Sequence, residues 1–195
     1  MSGRKSCMGR GSRLVRLRSA VFSAALLSAT VVPPAQANPG GWEVKEERSP
    51  LTNLTTVSAV LSSSNAIVNM IGRSENASLV LRCQDRTLVV YLNWAEVLNY
   101  DSSNFAGQPK TFAVWRIDNG VIKSNFWTIA DGGTAAGEFG SRGATKLLST
   151  LVGAKQLAVR LSGRMTQDAG FDLTGIDEVA TGVAGACGIA LVPAK

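Results

Sequence analysis

The chain of 195 residues contains no histidine. Histidine is the commonest general base, metal ligand and pH switch in proteins, so its absence excludes Ser–His–Asp catalysis and histidine-based zinc chemistry. The Gly-rich stretch 132–143 lacks the Lys-Ser/Thr pair with which a P-loop holds phosphate, and we expect a mobile surface loop there. The sequence therefore predicts no cofactor and no metal site.

Residues 1–37 contain no acidic residue. Six basic residues come first, followed by an apolar stretch at 20–32 and the small-residue site Ala35-Gln36-Ala37. This order is typical of a secretory signal peptide, cleaved between Ala37 and Asn38. The apolar stretch is shorter than the ~20 residues that cross a bilayer, so we expect no stable membrane insertion. The sequence predicts a periplasmic or secreted protein made of a signal peptide, 1–37, and one domain, 38–195.

Net charge is also lacking once the signal peptide is removed. All six basic residues of the first 37 leave with it, so 14 Lys and Arg remain against 14 Asp and Glu. A nucleic-acid-binding domain normally carries a basic surplus. We therefore expect no nucleic acid among the partners.

Cysteines are few: Cys7 lies in the signal peptide, and only Cys83 and Cys187 remain after it. Two thiols exported to an oxidising compartment are expected to pair. A catalytic cysteine would need a histidine base, and two thiolates alone make a poor zinc site. We predict a Cys83–Cys187 disulfide, for which the entropy of the closed loop gives an upper figure of about 4–5 kcal/mol of stabilisation.

Apolar residues alternate with polar ones along much of the mature chain, which is typical of half-buried strands. One predicted hairpin joins 79–83 to 88–94 through a turn at 84–86. A second joins 112–117 to 121–129 through Asp118-Asn119-Gly120, a strong hairpin-turn signal. Weaker strands are predicted at 55–61, 157–162 and 171–173.

Two segments have helical spacing instead, 144–154 and 174–186, the second followed by Gly188 as a C-cap. The predicted fold is mainly β, a β-sandwich-like or β-rich α+β domain with one or two short helices. The C-terminal helix would be joined to a core strand by the disulfide.

Three arginines, Arg82, Arg116 and Arg160, lie inside predicted strands rather than at their ends. One interpretation is that each aliphatic stem lies along a solvent-facing surface. The other is a partner-binding face, because arginine is a favoured interface anchor.

Hydrolysis of a glycan by two paired carboxylates remains an alternative. The candidates near predicted loops are Glu96, Asp101, Asp131 and Glu138. Solvated loop charges are the commoner explanation for such residues.

The segments Trp42-Glu43-Val44, 49–52, 79–83, 90–94, 171–177 and Ala186-Cys187-Gly188, in this order, resemble the TagO/VasI family of type VI secretion-associated proteins. The resemblance implies an exported accessory protein of the cell envelope. It brings no catalytic constellation, and only the two cysteines carry over. The function expected is non-catalytic binding of a protein or envelope partner. The alternatives are a small envelope hydrolase and a secreted interaction factor.

Overall fold

The computed structural model describes residues 40–192, so the predicted signal peptide with its Ala37–Asn38 cleavage site and Cys7 lies outside the described residues. Within this range the chain forms ten strands and two helices. The strands are β1 Glu43–Arg48, β2 Thr55–Val68, β3 Ser74–Gln84, β4 Thr87–Asn93, β5 Ser102–Ser103, β6 Pro109–Ile117, β7 Lys123–Ile129, β8 Ala135–Glu138, β9 Gln156–Leu161 and β10 Ala169–Asp172. The helices are α1 Ser141–Leu151 and α2 Ile176–Ala186.

The predicted hairpin around Cys83 is confirmed. Strands β3 and β4 pair antiparallel from Ser78 opposite Asn93 to Gln84 opposite Thr87. Asp85 and Arg86 form the two-residue turn, both with positive φ (51° and 61°). Such turns match the right-handed twist of the strands that they connect.

The second hairpin is confirmed in its pairing, and the N–H of Gly120 donates to the carbonyl of Ile117 at 2.9 Å in a turn at the predicted place, but the connection to β7 is longer than predicted. Strand β7 begins at Lys123, and Val121 and Ile122 lie in the connection, mostly exposed. The carboxylate of Asp118 accepts hydrogen bonds from the backbone N–H groups of Lys155 and Gln156 at 2.9 and 2.8 Å. Asp118 is thus tied to the start of β9, and residues 118–122 connect β6 to β7.

The strands belong to one antiparallel sheet in the order β1-β2-β3-β4-β8-β7-β6-β9-β10, with β5 paired to β6. Strand β8 lies inside this sheet, between β4 and β7. Its residues come from the stretch 132–143, so the prediction of a mobile surface loop is wrong for 135–138. Strand β1 was also not predicted, because its side chains are mostly exposed and show little alternation.

The sheet curves enough for β10 to reach β2 through side-chain amides. Asn65 donates to the carbonyl of Asp168 at 2.8 Å and accepts from the N–H of Gly170 at 2.9 Å. Gln167 makes the same pair of bonds with the backbone of Val68, at 2.7 and 2.8 Å. These bonds lie along residues 65–68 of β2, at and just beyond the place where its register with β3 shifts between Ser62 and Ala66.

Both predicted helices are present, and their apolar faces join the same core as the inward faces of the strands. Cys187, which follows α2 directly, is bonded to the buried Cys83 of β3, with the Cα atoms 5.6 Å apart. The predicted disulfide and the mainly β, sandwich-like fold are thus confirmed. No helix within residues 40–192 is long and apolar enough to cross a membrane.

Candidate functional site

Arg82 lies on the outward face of β3, between Ser58 of β2 and Val89 of β4. Its neighbours Leu81 and Cys83 are buried, so strand alternation places Arg82 on the opposite face. The side chain is half-buried and forms no ion pair within the described part of the chain. An unpaired guanidinium with a packed stem presents a planar set of donors that suits carboxylate or phosphate oxygens.

A surface groove of about 590 Å³ opens beside this arginine, and we name it the Arg82 groove. Its lining includes Arg82, Tyr91 and Phe139, with Asp131 at an exposed position. The rings of Tyr91 and Phe139 are stacked, with their centroids 5.5 Å apart. Arginine beside aromatic rings is the side-chain composition favoured at protein interfaces.

Gly137 is the residue that allows this aromatic pair to form. It lies opposite Tyr91 in the β4–β8 ladder. A Cβ atom at this position would collide with the backbone of Val90 and Tyr91. The glycine therefore lets β8 approach β4 closely, and Phe139, two residues later, meets Tyr91. Sequence reasoning missed this pair, since β8 is too short to show a period.

Arg116 and Arg160 lie on the outward faces of β6 and β9 and are diagonal neighbours, because Arg116 pairs with Ala158 and Arg160 pairs with Val114. In the sheet order β4, β8 and β7 lie between β3 and β6, and on the other side, where β10 reaches β2, those two strands lie between β9 and β3. Neither Arg116 nor Arg160 lines the Arg82 groove. The structure therefore does not bring the three predicted arginines into one patch.

Arg160 is engaged by Asp168, which accepts hydrogen bonds from Nε at 2.6 Å and from Nη2 at 2.9 Å. These bonds raise the pKa of Arg160. Both side chains are about half exposed, at 48% and 59%. In this geometry Nε and Nη2 of Arg160 already donate to Asp168 on the same surface.

Arg116 lines a different groove, of about 790 Å³, together with Asp118 and Asp172. The two carboxylates have structural partners. Asp118 holds the start of β9, as described above, and Asp172 accepts hydrogen bonds from the N–H and hydroxyl of Thr174. Those bonds lower the pKa of Asp172. The groove is thus lined by charges of both signs, with the acidic ones already hydrogen-bonded.

The four carboxylates considered for hydrolysis are dispersed. Asp131 lines the Arg82 groove, while Glu96 and Glu138 each line a separate groove. Asp101 accepts a hydrogen bond from the backbone N–H of Phe112 at 2.8 Å, which holds the loop before β6. A carboxylate pair that hydrolyses a glycan needs two carboxyl groups on either side of one glycosidic bond.

Glu138 lines its groove of about 490 Å³ with Trp115, Trp127 and Lys146. Burial raises the pKa of Glu138, and the charges of Lys110 and Lys146 oppose this rise without cancelling it. The indole rings of Trp115 and Trp127 lie 5.3 Å apart. Trp127 is buried, whereas Lys123, Ser124 and Asn125 are exposed, so this groove is a surface opening between α1 and the β6–β7 hairpin.

Within residues 40–192 no three acidic or cysteine side chains come together in a way that could hold a metal ion. Comparison of the chain with protein families, curated proteins and solved structures finds no match.

Proposed function

We propose that the protein is an exported, non-catalytic accessory protein of the cell envelope that captures a partner through the Arg82 groove. The observation that carries this proposal is the half-buried side chain of Arg82, which forms no ion pair among residues 40–192 and lies beside the Tyr91–Phe139 stack. Desolvated arginine and aromatic side chains are the usual anchors of binding energy. The partner surface that fits them carries an acidic group next to an apolar one.

The covalent chemistry supports the proposed compartment. Disulfides persist in oxidising environments and are rare in the cytosol. The Cys83–Cys187 bond supports export, and the signal-peptide pattern before Asn38 supports the same route. Because the sequence resembles the TagO/VasI family, we propose that the periplasmic partner takes part in type VI secretion. A secreted interaction factor would use the same surface outside the cell.

Hydrolysis by a carboxylate pair is less well supported. Such enzymes hold two carboxyl groups on either side of one glycosidic bond, within about 5–9.5 Å of each other. Here Glu96, Asp131 and Glu138 line three different grooves, and Asp101 is used to hold a backbone N–H group.

Site-specific photo-crosslinking in the exporting cell tests the proposal. A photoreactive residue replaces Val89, which lines the Arg82 groove. We expect one defined adduct in envelope fractions. Its yield should fall about tenfold or more when Arg82→Glu is added, because loss of an interface anchor costs this much affinity.

Arg142→Glu is the matched control, since Arg142 is exposed on α1 and does not line the groove. It changes the charge by the same amount and should leave the adduct unchanged. Equal yields from Arg82→Glu and the wild type would contradict the proposal. So would hydrolysis of cell-wall glycan that Glu96→Gln or Glu138→Gln abolishes.

A further inference from the structure

Glu138 lies on the inward face of β8, next to the start of α1. Ala136, two residues earlier, is buried, and strand alternation places Glu138 on the same face. A Cβ atom at Gly143 would collide with the carboxylate, so the first turn of α1 covers one side of it. The side chain is nevertheless only partly buried, and the opening between α1 and the β6–β7 hairpin leads to it from the surface. We name this opening, of about 490 Å³, the Glu138 groove.

The carboxylate of Glu138 is unpaired and in contact with solvent. It forms no ion pair and accepts no hydrogen bond within residues 40–192. Both of its oxygens keep some solvent-accessible area, in contrast to Oε2 of Glu96, which is fully buried. A molecule that enters the groove therefore reaches a free and accessible acceptor.

Indole rings form the apolar part of the groove. The centroids of Trp115 and Trp127 lie 5.3 Å apart. Trp127 is buried and supports the ring of Trp115, which is partly exposed. Aromatic side chains combined with a few polar groups are typical of small-molecule sites, whose volumes run from about 300 to 1,000 Å³. The Glu138 groove has this composition and this size.

The polar side chains of the groove include donors as well as the acceptor. Lys123, Ser124, Asn125 and Lys146 line it and are exposed. Oδ1 of Asn125 accepts from the N–H of Phe126 at 2.8 Å, which leaves its amide N–H groups without a described partner. The two lysines repel a positively charged ligand, and the carboxylate repels a negatively charged one. The groove therefore suits an uncharged molecule that both donates and accepts hydrogen bonds.

We infer that the Glu138 groove binds a sugar ring of a glycan chain. A pyranose ring has an apolar face of C–H groups that packs on an indole ring. Its hydroxyl groups donate to a carboxylate and accept from ammonium and amide N–H groups. Glu138 is the one acidic residue among the described residues that line the groove, so a second carboxylate for hydrolysis is lacking there. The inference does not rest on the Arg82 groove, because the two grooves share no residue.

The test uses the exported protein and two trisaccharides, one of β-1,4-linked glucose and one of β-1,4-linked N-acetylglucosamine. Binding is measured by NMR titration of the protein. We expect the backbone N–H signals of Asn125 and Lys146 and the indole N–H signal of Trp115 to shift. Binding of the N-acetylated trisaccharide alone would identify an amino-sugar glycan as the source of the ring, and binding of both would identify β-linked glycans in general.

This comparison needs no variant. Failure of both trisaccharides to shift these signals at up to about 10 mM, beyond the Kd of even a weak site (~1 mM), would overturn the inference. Shifts confined to residues outside the groove would overturn it as well.

Variants locate the site. Glu138→Ala should weaken binding about tenfold or more, as for loss of a hydrogen bond to a charged group. Glu178→Ala, which removes an exposed carboxylate on α2, should not. Gly143→Ala should also weaken binding, because the new Cβ displaces the carboxylate of Glu138 while the helix itself favours alanine.

Undiminished binding by Glu138→Ala or by Gly143→Ala would contradict the assignment of the groove. Arg82→Glu should leave binding of the trisaccharide unchanged, which separates this result from the proposed function.

Discussion

Glu138 shows at the scale of one residue how a small fold accommodates an acidic side chain near its core. The residue belongs to β8 and packs against Gly143, where a Cβ atom would collide with the carboxylate. Loss of hydration on burial raises its pKa, and the attraction of Lys110 and Lys146 offsets only part of this. The charged form is therefore less favourable in the folded protein than in the unfolded chain.

This raised pKa predicts a pH-dependent stability. Below the unfolded pKa, near 4.5, the side chain is protonated in both states and burial carries no charge penalty. As the pH rises through the folded pKa, the folded state loses stability relative to the unfolded chain. Glu138→Gln removes this loss, so we expect its melting temperature to exceed that of the wild type by about 1–2 °C at pH 7 and by less at pH 4.

Thermal unfolding at the two pH values checks the prediction. Glu47→Gln is the control, because Glu47 is an exposed carboxylate on β1. It should shift the melting temperature equally little at both pH values. A Glu138→Gln variant that is less stable than the wild type at pH 7 would mean that attraction to the two lysines outweighs the cost of burial.

At the scale of one element, α2 combines a regular C-terminus with glycines in its interior. Gly188 has φ of 71°, and the N–H of Ile189 donates back to the carbonyl of Ala184 at 2.9 Å. This is the hydrogen bond of a Schellman C-cap, and it turns the half-buried Ile189 towards the core. Gly182, by contrast, is exposed within the helix, and a Cβ there would meet open space.

The two glycines are therefore expected to respond oppositely to the same substitution. Gly182→Ala should stabilise the protein by about 0.5–1 kcal/mol, because alanine loses less backbone entropy in a helix. Gly188→Ala should destabilise it by about 1–2 kcal/mol, because an L-residue is strained at positive φ. Urea denaturation of both variants measures the free energy of unfolding. Equal signs for the two changes would contradict the cap assignment.

At the scale of the whole molecule, the disulfide joins the last helix to a strand in the interior of the sheet. Cys83 and Cys187 are 104 positions apart in sequence, so the bond closes a loop across most of the described chain. A cross-link over so long a loop reduces the entropy of the unfolded state. The same bond limits how far α2 can separate from the sheet.

We expect reduction of this bond to lower the free energy of unfolding by about 2–5 kcal/mol. Denaturation with and without reductant measures the effect, and Cys83→Ala/Cys187→Ala provides a reductant-insensitive control.

Mass spectrometry of the exported protein should show no alkylatable thiol and an N-terminus at Asn38. Two alkylated cysteines would contradict the oxidised state, and a retained apolar stretch would contradict signal-peptide cleavage.

Local patterns in the sequence were sufficient for much of the fold. Alternation in 79–83 and 88–94 marks β3 and β4, since a strand with one buried face must alternate. The spacing of Leu148 and Leu151 marks α1, which buries one stripe. Cys83 and Cys187 could be paired from their number and predicted compartment alone. Each of these signals arises within a few residues or from a count, so no distant contact had to be known.

Tertiary structure decided the positions that depend on neighbours far along the chain. The placement of β8 depends on Gly137 meeting β4, which four residues with no visible period could not reveal. Even for Arg160, whose partner Asp168 is only eight positions away, the sequence left a solvent-facing stem and a binding anchor both open until folding paired the two side chains. Glu96 looked like a loop charge until Gly163 and Met165 enclosed it. The burial and pairing of a side chain depend on the folded structure, because they arise where segments from different parts of the chain pack together and exclude water.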